Sequence, residues 1–277
     1  MASSFAHEYL GPLLTLDNVS MTFGKEQILR DISVCVRDVV RPGVAQGQVV
    51  GFYGRSGIGK SVLCKIIAGL QNPSTGTTRF GEQQDLVHPG AVGFVQQRYP
   101  LFNHKTVMDN LMVAAKADSG GKITKDRAMD LADRFRLTPH LTKYPAHLSG
   151  GQRQRTAIAQ QLLCSENFII LDEPFSGLDI AMIDKTVEII KEITLLDEHN
   201  TVVIVSHDIT TTTALSDSLW LMGYEYDAEG VQIPGATIQQ RHMYNLVDMD
   251  LAWHPGIEKT ALFGQFVEHI KDEIRKS

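Results

Sequence analysis

Cysteine, basic excess and long apolar runs are all scarce in this chain. Cys35, Cys64 and Cys164 lie far apart, are odd in number and form no CxxC spacing. Neither a disulfide framework nor a zinc site is indicated, and a reducing cytosol fits best. Acidic residues outnumber basic ones, 32 to 26, for a formal charge of -6. With no global positive field to gather phosphate, nucleic acid is a disfavoured partner. The N-terminus lacks the basic start and continuous apolar stretch of a signal peptide, and the longest apolar runs, such as Phe168 to Leu171, are far too short to span a bilayer. If the protein serves a membrane process, another chain forms the pore.

What is present is ordinary globular material: 277 residues, 43% apolar and 21% charged, enough for one large domain or two lobes. Leu14, Leu16, Val19 and Met21 open a strand-like stretch, and Ile32, Val34 and Val36 alternate with polar neighbours, so an antiparallel β layer is expected first. Gln48 to Tyr53 is a short apolar strand running into a glycine loop, after which Leu63, Ile66, Ile67 and Leu70 repeat at helical spacing. Thr106 and Asp109 form a capping-box start for a helix over Val107 to Ala117. Thr124 opens another, with Ala128, Leu131, Ala132 and Phe135 on one face and Pro139 as its stop. Phe168 to Asp172 and Thr201 to Ser206 are unbroken apolar strands of the doubly covered parallel type, and Ile183, Val187 and Ile190 supply the buried stripe of the helix between them. Glu225 to Pro234 is an acidic turn region. Phe263, Phe266, Val267, Ile270 and Ile274 then form the apolar face of a final amphipathic helix, with Glu268, Lys271, Asp272 and Arg275 opposite.

Two glycine-rich loops carry the chemistry. In Gly54-Arg55-Ser56-Gly57-Ile58-Gly59-Lys60-Ser61, Gly54 and Gly59 let the backbone curl so that N–H groups and a helix N-terminus surround phosphate oxygens. Lys60 reaches the β and γ phosphates of a nucleotide, and Ser61 would ligate Mg2+. Asp172 ends a buried strand where a carboxylate can hold the metal shell, and Glu173 beside it is placed to take a proton from water. An isolated acidic pair at a strand end is more often merely solvated; its pairing with a phosphate loop reverses those odds. The second loop is Leu148-Ser149-Gly150-Gly151-Gln152. Its serine could be an ordinary N-cap and its glycines an ordinary turn. One nucleotide needs only one cradle, however, so a second one far along the chain suggests that two chains share each ATP.

On these motifs the sequence closely resembles the ATP-binding cassette (ABC) family over roughly residues 13 to 223. Gly54 to Ser61 is similar to its Walker A loop, Leu148 to Gln152 to its signature loop, Phe168 to Glu173 to its Walker B strand with the catalytic glutamate, Ser176 to Asp179 to its D-loop, and Ser206-His207-Asp208 to its switch histidine. Gln96 and Gln97 compete for the Q-loop position, and the Leu101-Phe102 pair downstream favours Gln97.

The resemblance implies an α/β P-loop core with an antiparallel β layer and an inserted helical lobe over about residues 98–160. A cassette domain would occupy 1–225 and an extension 226–277. ATP would be bound by Arg55, Ser56, Gly57, Ile58, Val62 and the other Walker A residues, with Phe23 stacked under adenine. The metal would be held by Ser61, Gln97 and Asp172. Catalysis would fall to Glu173, His207, Gln97 and Lys60, and the signature loop would meet the ATP of the opposite subunit.

The implied partners are a second cassette chain, as a homodimer, integral membrane permease subunits facing Arg98 to Phe102, and a solute-binding protein reached through the permease. The implied location is the cytoplasmic face of the membrane, with import the favoured direction. A soluble ABC ATPase outside transport is the alternative; no coiled-coil insertion and no second cassette supports it.

The pattern departs from the family at three places. Val62 stands where a hydroxyl usually touches the α-phosphate. Arg37 to Gln46 is a long link, read as an extended surface hairpin. The tail from Tyr226 is not part of the general cassette and bears a distant resemblance to the nitrate, sulfonate and taurine uptake group.

Overall fold

The computed structural model describes residues 5–117, 125–165 and 167–276. β1 (Glu8–Phe23) and β2 (Glu26–Val40) form a long antiparallel hairpin, and β3 (Gln48–Gly54) leads through the glycine loop into α1 (Lys60–Ile67). β4 (Thr75–Phe80) and β5 (Asp85–Leu86) complete an antiparallel sheet in the order β2-β1-β4-β5. After β6 (Gly93–Val95) the chain enters the helical lobe: α2 (Val107–Ala117), α3 (Lys125–Arg134) and α4 (Gly150–Leu162). It returns through β7 (Phe168–Asp172), α5 (Ile180–Thr194), β8 (Thr201–Ser206), α6 (Ile209–Leu215) and β9 (Ser218–Gly223), and closes with β10 (Thr237–Asn245) and α7 (Ala261–Lys276). The second sheet runs β10-β9-β3-β8-β7-β6, parallel except for β10.

Period-two alternation divides the core strands between two layers. Phe168 and Ile170 of β7, with Val203 and Val205 of β8, face the antiparallel sheet and pack with Leu14, Leu16, Ile32, Val34 and the α1 residues Leu63 and Ile66. Ile169, Leu171, Val202 and Ile204 point the other way and pack against the helices through Leu111, Ala132, Phe135, Ile158 and Ile190. Both faces of these strands are therefore covered, which is why they carry no polar alternation. A third cluster joins Leu219 and Leu221 of β9 to Phe263, Phe266, Val267 and Ile270 of α7, so the final helix packs on the chain's own core.

The capping box at Thr106 is present. Asp109 N donates to Thr106 Oγ1 at 3.1 Å, and Thr106 N donates to Asp109 Oδ2 at 3.3 Å. Four local expectations need correction. Leu70 is 54% exposed, because α1 ends at Ile67 with Ala68 as its C-cap. The buried stripe of α5 is Thr186, Ile189, Ile190 and Ile193; Ile183 and Val187 are only half-buried on its edge. Pro139 does not stop α3: the helix ends at Arg134, Arg136 takes a positive φ, and Pro139 sits in a separate one-turn 3-10 helix. Thr124 lies outside the described residues. Arg37 to Gln46 is not a separate hairpin. Arg37 to Val40 extend β2 against β1, with Asp38 and Val39 buried, and only Arg41 to Val44 turn. Finally, β10 was not expected at all. It pairs antiparallel with β9 and attaches the tail to the main sheet.

Candidate functional site

β3 lies centrally between β8 and β9, and its loop opens at the carboxyl ends of the parallel strands, where open α/β sheets present their ligand sites. Gly59 caps α1 with φ 110° and offers no side chain to the first-turn N–H groups, leaving them to face an anion. A Cβ at this position would lie 2.9 Å from Ile28 Cγ2 and 3.0 Å from Leu29 Cδ2, so the β1–β2 hairpin closes tightly over the loop. Lys60 is buried. Its ammonium donates to Gly54 O at 2.7 Å and Arg55 O at 3.1 Å, and stands 3.3 Å from Glu173 Oε1.

β7 delivers two carboxylates with different environments. Asp172 is buried at the strand end, and its Oδ2 accepts a hydrogen bond from Ser61 Oγ at 2.9 Å. Its Oδ1 is enclosed and, among the described residues, has no hydrogen-bond partner. Burial pushes the Asp172 carboxyl above its ordinary range; the Ser61 bond opposes that shift, and the neighbouring Glu173 charge adds to it. Glu173 has φ 52°, a backbone state that non-glycine residues rarely adopt and that concentrates at functional positions. Its N–H donates to Val205 O at 2.7 Å on the adjacent strand, which fixes the turn. Its carboxylate is then held from two sides, by Lys60 and by His207 Nδ1 at 2.6 Å from Oε2. A carboxylate can only accept, so Nδ1 of His207 carries the hydrogen. Asp208 caps α6 directly after it, receiving Thr211 N at 3.1 Å.

Three neighbouring strands thus bring Lys60, Ser61, Asp172, Glu173 and His207 into one cluster. The Ser61 hydroxyl and the orphaned Asp172 oxygen form a hard, oxygen-only donor pair of the kind that suits Mg2+ completed by waters and phosphates.

The other expected residues lie around this cluster. Val95 pairs with Leu171, so the chain leaves the sheet beside Asp172; Gln97 is exposed in the following turn and, among the described residues, makes no hydrogen bond to Ser61, Asp172 or Glu173. Phe23 is 47% exposed at the tip of the β1–β2 hairpin, not in the core of the β layer. Val62 is half-buried against the inter-sheet core. Ser149 is the N-cap of α4 in a full capping box: Gln152 N donates to its hydroxyl at 3.3 Å, and its own N–H donates to Gln152 Oε1 at 2.9 Å. Leu148 is buried beneath the loop, Gly150 faces open space, and nothing comes nearer than 3.7 Å to a Cβ built on Gly151. Among the described residues no hydrogen bond or ion pair joins this loop to the Lys60 cluster within one chain. Asp179, the residue expected to end a D-loop, caps α5, accepting Met182 N at 2.8 Å. Sequence reasoning placed Tyr99 only within the permease-facing segment and missed its local role: it has φ 46°, and its hydroxyl reaches Pro174 O at 3.5 Å. It also missed His140, which contacts Gln152; no local pattern marks either residue.

This arrangement of phosphate loop, strand-end acidic pair and capped second glycine loop defines a nucleotide-binding cassette, and the chain belongs to the ABC transporter family, whose model matches residues 38–176. Among its relatives, the sulfate/thiosulfate import ATP-binding protein CysA 2 of Rhizobium meliloti is 34% identical over 215 residues, 75% of this chain and 56% of that protein. The arginine transport ATP-binding protein ArtM of Bacillus subtilis is 32% identical over 221 residues, 76% of this chain and 87% of that protein. The chain spans about half the length of the sulfate/thiosulfate relatives it matches. A solved dimeric ATP-binding cassette in a post-hydrolysis state with ADP and Pi superposes with a TM-score of 0.61 at 26% identity, covering 76% of this chain and 94% of that one. Among the described residues no helix is long and apolar enough to cross a membrane.

Proposed function

We propose that this chain is the ATP-hydrolysing subunit of an ABC importer, working as a head-to-tail homodimer beneath a separate membrane permease. The observation that carries this reading is the Lys60–Glu173–His207 chain of contacts beside the Ser61–Asp172 pair. Lys60 now satisfies two loop carbonyls, and it exchanges them for the β and γ phosphates when ATP enters. Glu173, oriented by His207 and its backbone bond to Val205, accepts the proton of the attacking water. Ser61 and Asp172 would hold Mg2+, joined by Gln97, and the ion neutralises charge on the β and γ phosphates when bound. Phe23 supplies an exposed ring for adenine.

Ser149 and Gly151 lie on a loop that does not engage the phosphate cluster of its own chain, which supports their closing on the ATP of a second copy. ATP then favours the closed dimer by binding energy available only in that state, and hydrolysis releases it. The import and transport names of the relatives support transport into the cell at the cytoplasmic face of the membrane, with a solute-binding protein reached through the permease. In this scheme residues 1–225 are the cassette and 226–277 an extension bound to it. The test is Glu173→Gln in the full chain. ATP binding is retained while hydrolysis falls by about 10²- to 10⁴-fold; hydrolysis at the wild-type rate removes Glu173 from this role.

A further inference from the structure

We infer that His140 is a positioning residue for the signature loop, holding Gln152 so that Gln152 in turn fixes Ser149. This rests on the proposed sharing of ATP between two chains. Ser149 N–H is an obligatory donor and lies 2.9 Å from Gln152 Oε1, which sets the amide with its oxygen toward Ser149. The amide nitrogen therefore points away, to His140 Nε2 at 2.9 Å. An amide nitrogen only donates, so His140 Nε2 accepts, and the ring is neutral with its hydrogen on Nδ1. Among the described residues Nδ1 is enclosed and has no hydrogen-bond partner, and Gln152 is the ring's one hydrogen-bonding contact.

The histidine is itself anchored independently of the loop. Its carbonyl accepts Lys143 N at 2.9 Å, and the segment it begins is tied to the start of α2 by Met108 N to Leu141 O at 3.0 Å and Val107 N to Lys143 O at 2.9 Å. His140 thus transmits the position of the lobe scaffold to the two atoms that cap α4. Without an acceptor at this point the Gln152 amide can rotate, and the Ser149 N–H loses the partner that orients the loop.

The test compares His140→Phe, which keeps a ring and removes the acceptor, with His140→Gln, whose side-chain oxygen can replace it. Turnover, KM and ATP affinity are measured on the full chain over a range of protein concentrations. His140→Phe is expected to lower kcat by about three- to tenfold, the worth of one orienting hydrogen bond, with ATP affinity of the monomer unchanged. His140→Gln is expected to recover kcat to within about twofold of wild type. Wild-type kcat in His140→Phe, or an equal loss in both variants, overturns the inference. If His140→Phe does not fold, His140→Leu makes the same deletion. Ser149→Ala, run alongside, separates the two levels. If it retains full turnover, the shared-site reading fails; if it loses turnover while His140→Phe does not, only the role of His140 fails.

Discussion

Alanine at position 59 should injure the phosphate loop twice, through the backbone and through packing. Gly59 has φ 110°, and an L side chain there costs about 1–2 kcal/mol. The new Cβ would also sit 2.9 Å from Ile28 Cγ2 and 3.0 Å from Leu29 Cδ2. Leu29 is fully buried and cannot swing aside, so overpacking adds about 1–3 kcal/mol. Gly57 provides the control. Its φ is 80°, but its Cβ would meet nothing within 4 Å, so Gly57→Ala carries only the backbone cost. Urea unfolding of the nucleotide-free chain should therefore rank wild type above Gly57→Ala and Gly57→Ala above Gly59→Ala, the last gap being about 1–3 kcal/mol. Titration with a fluorescent ATP analogue should show the larger affinity loss at position 59, because relief of the clash moves the backbone that leads into Lys60. Equal stability of the two variants would refute the claim that the β1–β2 hairpin clamps this loop.

Two further outcomes concern the tail and its base. Ile270 is fully buried between α7 and β9, and Ile270→Ala should lower unfolding stability by about 2–5 kcal/mol, whereas an unchanged urea midpoint would detach α7 from the core. Burial pushes the Asp217 carboxyl up to about 7, opposed by its bond from Val49 N and by the Arg41 charge. The folded chain therefore keeps this proton after the unfolded chain has lost it. The corresponding stability is complete below about pH 4 and is lost as the pH rises to about 7. Between pH 5 and 7.5 the wild type should lose on the order of 2 kcal/mol relative to Asp217→Asn in urea unfolding, and parallel pH profiles would contradict this.

The core and the phosphate cluster were legible because their constraints are local. A strand must precede the loop and a helix must follow it, and β7 and β8 show their double burial as unbroken apolar runs. The phase of α5 was read one position off, since Ile183, Val187 and Ile190 satisfy helical spacing as well as the true stripe of Thr186, Ile189, Ile190 and Ile193 does. β10 escaped because it is an edge strand with a mixed pattern: only Thr237, Ile238 and His242 are fully buried, and its register shifts between Ile238 and Met243. The extension of β2 was hidden for another reason. Its pairing partners, Glu8, Tyr9 and Pro12, precede the alternating residues that mark β1 in the sequence, and Asp38 is held from a distant loop by His199 Nδ1 at 2.7 Å. Ser149 read equally well as an N-cap or as a phosphate ligand, and within one chain it is the N-cap.

Sedimentation of Glu173→Gln with and without ATP tests the shared site most directly, with Ser149→Arg added in a second sample. A shared site gives a monomer that becomes a dimer when ATP is added, and no dimer once the arginine blocks the signature loop. A dimer that forms without ATP, or one indifferent to Ser149→Arg, would contradict it.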